Sequence, residues 1–114
     1  MGPCAGGAVY SPAMTDFTFM VEDTSHMFVT GPNVVKTVTQ EEISFENLGG
    51  SKVHGEISGV TDLGLSSDLE AITAAKKLLS YIPSSNEQSA PHKDWEEISF
   101  HNNEQLLDNI IPKT

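Results

Sequence analysis

The chain has 114 residues, of which 38% are hydrophobic and 19% charged, enough for one domain and well above a disordered composition. Sixteen acidic residues stand against six basic ones, for a formal net charge of −10. All the bases are lysines, which argues against nucleic acid as a partner and against a lysine-rich membrane anchor, and leaves no arginine for a bidentate clamp on carboxylate or phosphate.

One cysteine, Cys4, cannot form an internal disulfide and fits a reducing compartment. No apolar run approaches the ~20 residues a membrane helix needs, and the Gly-rich, uncharged start does not match a signal or transit peptide.

In chain order, MGPCAGGAVYSP is rich in small residues and predicts a tight turn that feeds a helix near Gly7, with no strand before it. Pro12 is tolerated only in the first turn of that helix. Phe17 to Val21 and Met27 to Thr30 are short runs of strand formers, separated by a polar turn at Glu22–Ser25. Gly31-Pro32 ends the second strand and opens a helix whose apolar face is Val34, Val35 and Val38. Thr39 to Glu42 matches a capping box, but Ile43-Ser44-Phe45 does not continue it. A short helix is predicted from Ser44 to Gly49-Gly50. Lys52 to Ser58 alternates and predicts a strand closed by Gly59.

The best helix runs from Asp68 to about Ile82. Ser67 and Glu70 form its capping box, and Leu69, Ile72, Ala75, Leu79 and Ile82 recur at helical spacing. Pro83 ends it. Residues 84–103 predict a linker region, and Glu104 to Ile111 a terminal helix. Helix–strand alternation places the chain in the α/β class.

Cys4-Ala5-Gly6-Gly7-Ala8 just before a helix is the stretch that can carry chemistry. Such a turn presents unpaired backbone N–H groups at the positive end of a helix, and paired glycines let an oxygen approach closely. That is how an oxyanion hole is built, although Gly-Gly in a turn also has a purely structural reading. The spacing matches neither a dinucleotide fingerprint nor a phosphate loop.

The block GPCAGGAVYSPA, followed by TDF and TGP with VVK, resembles the carboxyltransferase (beta) subunit of biotin-dependent acyl-CoA carboxylases, close to the propionyl-CoA type. ENLGGSKVHGEISGV, LLSYIPSSNEQSAP and NEQLLDNIIPKT extend the resemblance, with gaps, to the C-terminus. It implies a crotonase-like α/β fold of repeated strand–strand–helix units, with residues 1–114 as the C-terminal part of the N-terminal carboxyltransferase domain. The preceding strands and a second domain would lie outside these residues. It implies a homo-oligomer, a hexamer in the full-length protein, with acyl-CoA as substrate. Biotin would be carried on a biotin carboxylase or biotin carrier partner, in the bacterial cytoplasm or the mitochondrial matrix.

By the same resemblance, Gly6 and Gly7 donate backbone N–H groups to an oxyanion, assigned to the acyl thioester, and Ala5, Ala8, Tyr10 and Ser11 line the substrate pocket. Carboxybiotin would release CO2, the biotin anion would take the substrate's α-proton, and the enolate would attack CO2. This route asks the protein for positioned amides and a dry pocket rather than a catalytic side chain. Two rival expectations are the carboxyltransferase of a sodium-pumping decarboxylase, and a truncated chain that only associates with full subunits.

Some residues depart from the family pattern or have plainer readings. Asn47 stands where the family often has Glu, which removes a capping box from Ser44, and no Met-Lys-Met biotin-attachment motif is present. His26, His54, His92 and His101 are too scattered for a metal site, and no metal is expected. His54 is read as structural. Cys4 is expected to be buried, Lys36, Lys76 and Lys77 solvated, and Trp95 to anchor the tail. Ser11 has no partner at a spacing that would make it a nucleophile.

Overall fold

A computed structural model describes residues 1–92 and 94 of the chain. The chain divides into two compact units, Met1–Ile82 and Pro83–Thr114. In the second, the described residues form turns without helix or strand, one of them closed by Gln88 N–H donating to the Ser85 carbonyl at 3.2 Å. The helix expected at 104–111, Trp95, His101 and the end of the expected linker lie outside the described residues.

The first unit holds two parallel strand pairs. Strand β1 (Pro3–Ala5) pairs with β3 (His26–Phe28), Cys4 opposite Met27. Strand β2 (Phe19–Val21) pairs with β4 (Leu63–Leu65), Met20 opposite Gly64. β2 and β3 are consecutive but belong to different pairs. The turn between them takes Asp23 to a φ of 60°. Ser25 closes that turn, its hydroxyl oxygen accepting from Val21 N–H at 2.9 Å and its own N–H donating to the Val21 carbonyl at 2.9 Å. Within the unit, Val9, Met20 and Met27 form the core cluster, with Cys4 and Val60 packed against it. Met20 is only 1% exposed.

The expectation of no strand before the Gly-rich turn is corrected by β1. Pro3, Cys4 and Ala5 include no β-branched or aromatic strand former, and the chain is extended there by pairing with β3.

After β1 the chain turns through a 3₁₀ helix at Gly6–Val9 into α1 (Tyr10–Ala13), which keeps Pro12 in its only turn. Helix α2 (Pro32–Thr39) has Pro32 in its first turn and ends at Gln40, whose φ of 62° is left-handed. Val34 and Val38 of its apolar face point outward, Val38 at 75% exposure. The Thr39–Glu42 pattern caps nothing. Thr39 is the last helical residue, and its hydroxyl donates to the Val35 carbonyl at 2.9 Å. Helix α3 (Phe45–Gly49) is capped by Ser44, whose hydroxyl accepts from Asn47 N–H at 3.1 Å.

The strand expected at Lys52 to Ser58 is instead helical. Val53–Ile57 is a π-turn in which Ser58 N–H donates to the Val53 carbonyl at 3.0 Å. The alternating positions have no sheet face to bury, and Ile57 is 81% exposed. A side-chain bond from His54 holds the helical form instead.

Helix α4 (Asp68–Leu79) starts at Ser67, whose hydroxyl accepts from Glu70 N–H at 3.3 Å. Glu70 reaches back one residue further, accepting from Ser66 N–H at 3.0 Å and from the Ser66 hydroxyl at 2.8 Å. Its Leu-Ile stripe faces outward, Leu69 at 74% exposure, while Ala71 is buried.

Candidate functional site

Gly6 sits at a φ of +65°, a left-handed value that glycine adopts without cost and that bends β1 into the 3₁₀ helix. Bonds in that helix run from each N–H to the carbonyl three residues before, so a helix beginning at Gly6 leaves the N–H groups of Gly6 and Gly7 without an acceptor inside it. Ala5, in the capping position, supplies no side-chain bond to them. A Cβ built at either glycine meets nothing within 4 Å. The side-chain face of both glycines is therefore open.

The other residues singled out in the sequence form one run around this turn. Ala5, Ala8, Tyr10 and Ser11 are all exposed. Ser11 uses its carbonyl to accept from Met14 N–H at 3.3 Å. The Pro12 carbonyl accepts from the hydroxyls of Thr15 at 2.8 Å and Thr18 at 2.9 Å, which pins the end of α1 to β2.

Support comes from beneath. Val9 of the turn, Cys4 of β1 and Met27 of β3 share the core cluster. The Met27 carbonyl accepts from His54 Nε2–H at 2.7 Å. With Nε2 donating, neutral His54 presents Nδ1 as an acceptor, and the Ser58 hydroxyl lies 2.8 Å away to fill it. His26 Nε2 lies 2.7 Å from Glu46 Oε2 and edge-on to the Phe45 ring. Both histidines thus join β3 to the helical segments that follow α2. Among the described residues, no three His, Cys, Asp or Glu side chains gather where a metal could sit.

Hollows flank the strands among the described residues. One of about 240 Å³ runs along β1 past Cys4, Thr18, Ser25 and Met27. Another of about 440 Å³ lies between the β2–β4 pair and α4, lined by Phe17, Phe19, Leu63 and Leu78 with Asp62 and Lys77 at its polar edge. Neither is lined by the glycine pair. Periodicity could not have found Met27, Gly49 or Asp62, because each acts through a contact far away in sequence.

Residues 1–114 match the carboxyl transferase domain family throughout. The chain is 50% identical over 113 residues to the propionyl-CoA carboxylase carboxyltransferase subunit of Haloferax mediterranei, a match covering 98% of this chain and 22% of that protein. It is 48% identical over 112 residues to the mitochondrial propionyl-CoA carboxylase beta chain of Homo sapiens, covering 98% and 21%. Thus the chain spans about a fifth of the length of the curated relatives it matches.

Among solved structures, it resembles a transcarboxylase 12S hexamer subunit with hydrolysed methylmalonyl-coenzyme A bound. There the TM-score is 0.76 at 46% identity, over 84% of this chain and 18% of that one. The beta subunit of the Pseudomonas aeruginosa geranyl-CoA carboxylase gives a TM-score of 0.65 at 27% identity, over 84% and 17%. The fold is part of a crotonase-like α/β domain, and the chain belongs to the carboxyl transferase domain family.

Proposed function

We propose that the chain serves in the carboxyltransferase component of an acyl-CoA carboxylase, moving a carboxyl group onto the α-carbon of propionyl-CoA or acetyl-CoA. The observation that carries this reading is the Gly6–Gly7 turn. Its amides have neither a 3₁₀ acceptor nor a side-chain cap, and no neighbour crowds the side-chain face of the two glycines. In our reading these amides bind the thioester oxygen and stabilise the negative charge that grows on it when the α-proton leaves, the largest single contribution a site without an acid–base pair can make. Ala5, Ala8, Tyr10 and Ser11 would frame the acyl group.

The lack of side-chain bulk at the turn suits a thioester that must lie flat against backbone. Carboxybiotin, carried on a biotin carboxylase or biotin carrier partner, would supply the carboxyl group. A hexamer is the assembly we assign to the complete subunit, supported by the hexamer named for the transcarboxylase 12S structures. The compartment we assign is the bacterial cytoplasm or the mitochondrial matrix, the latter supported by the mitochondrial naming of the pig and human relatives.

The test replaces the matching span of the Haloferax mediterranei subunit with residues 1–114 and assembles it with its biotin-bearing partner. The reading expects a hexamer that carboxylates propionyl-CoA. A hexamer that binds propionyl-CoA but transfers no carboxyl group would refute it.

A further inference from the structure

We infer that His54 is a positioning residue for the Gly6–Gly7 turn, acting through the main chain of Met27. The inference rests on the oxyanion reading of that turn and adds the residue that holds it in place.

Four observations connect the two places. Met27 lies in the middle of β3, directly opposite Cys4 of β1, and β1 runs without a break into Gly6. The His26 N–H, one residue earlier, points toward β1 and donates to the Gly2 carbonyl at 3.4 Å. Successive residues of a strand point their main-chain groups to opposite sides, so the Met27 carbonyl faces away from β1. There it accepts from His54 Nε2–H at 2.7 Å. Finally, the buried Met27 side chain packs in one cluster with Val9, the last residue of the turn, and with Cys4.

β3 is therefore held from both edges, by β1 on one side and by the imidazole on the other. Among the described residues, no strand pairs with β3 on the side of His54. The imidazole bonds that edge instead. Its ring cannot swivel away, since Nδ1 is bound to the Ser58 hydroxyl at 2.8 Å. The π-turn makes this possible by bringing Ser58 under His54 while Ser58 N–H bonds the Val53 carbonyl. Such π-turns recur at functional sites. If the bond to Met27 is lost, β3 and the Val9–Met27 packing relax, and the two amides shift relative to the thioester oxygen. A misplacement of about 1 Å can cost about a hundredfold in rate, so a partial shift is expected to cost about tenfold.

The test is made in the grafted holoenzyme, with kcat and KM for propionyl-CoA and the hexamer state measured together. His54→Gln places an amide nitrogen where Nε2 was, whereas His54→Asn is too short to reach the Met27 carbonyl and His54→Leu has no donor. The inference expects assembled hexamers in which Asn and Leu lower kcat about tenfold with KM nearly constant, because only transition-state stabilisation has been weakened. Gln should recover most of that loss. If Leu prevents assembly, the comparison of Gln with Asn decides. Equal kcat for Gln and Asn, or a defect confined to assembly or KM, would overturn the inference. A Gly7→Pro enzyme separates the two claims. Normal turnover in it sinks the oxyanion reading itself, whereas lost turnover alongside equal Gln and Asn enzymes sinks only the role of His54.

Discussion

Gly49 of α3 lies directly against the Met27 carbonyl, closer than any side chain would permit. A Cβ built on Gly49 falls inside van der Waals contact with both the oxygen and the carbonyl carbon of Met27, and 3.1 Å from the Phe28 ring. The same carbonyl takes the His54 bond, so one peptide group of β3 is held by both α3 and the π-turn. Gly49→Ala must push backbone from backbone, at an expected cost of about 1–3 kcal/mol. Gly55→Ala is the control, since its Cβ meets nothing within 4 Å. Scanning fluorimetry of the grafted subunit should show a lower melting midpoint for Gly49→Ala only.

Asp62 ties the start of β4 to the start of β2. Its Oδ2 accepts from Thr18 N–H at 2.7 Å, and its own N–H donates to the Thr18 carbonyl at 2.9 Å. Thr18 is buried, so Asp62→Ala leaves its N–H without an acceptor and should destabilise the subunit by about 1–3 kcal/mol. Asp62→Asn keeps an acceptor and should lose less. Equal melting midpoints for Ala and Asn would show that the bond carries no weight.

The first turn of α4 should be sensitive to acid. The Ser66 hydroxyl, and then the Ser66 N–H, hold the Glu70 carboxyl below its ordinary value of 4.5. Because the folded value is the lower one, the stabilisation is complete above 4.5 and is lost as pH falls through the folded value. A peptide spanning 65–82 should lose circular-dichroism helicity over that acid range, and Glu70→Gln should flatten the response. At neutral pH, Ser67→Ala should cost about 1 kcal/mol by removing the cap from Glu70 N–H.

The outward apolar faces of α2 and α4 are a liability for the chain on its own. Val34, Val38, Leu69, Ile72 and Leu79 are all exposed, and apolar surface of this kind drives association. The purified 114-residue chain is expected to bind a hydrophobic dye and self-associate. A sharp cooperative melt of a soluble monomer would contradict this.

Local chemistry was legible in the sequence wherever a residue acts on its own neighbours. Pro32 at a helix start, Ser44 and Ser67 as caps and the polar turn at Glu22–Ser25 all follow from such chemistry. Strands β1 and β4 were not legible, because Pro-Cys-Ala and Leu-Gly-Leu hold no β-branched or aromatic strand former. The alternation at Lys52–Ser58 pointed the wrong way. His54 reaches across to β3 and selects a π-turn, a tertiary contact that local pattern does not contain. The helical spacing in α4 located the helix correctly, but the buried residue is Ala71 and the larger apolar stripe faces out. At the candidate site, the glycine pair was singled out from the sequence and its family resemblance, whereas the contacts of Met27 with His54 and Gly49 were not.

The most direct test of the account is turnover of the grafted holoenzyme with Gly7→Pro. Gly6 cannot take proline, because its φ is +65°. Gly7 has no left-handed φ and lies in the first turn of the helix, where proline is tolerated and replaces the N–H by a ring carbon. The account predicts an assembled hexamer that still binds propionyl-CoA and turns over about a hundredfold more slowly, or worse. Turnover equal to that of the unmutated graft, in an assembled hexamer, would contradict it.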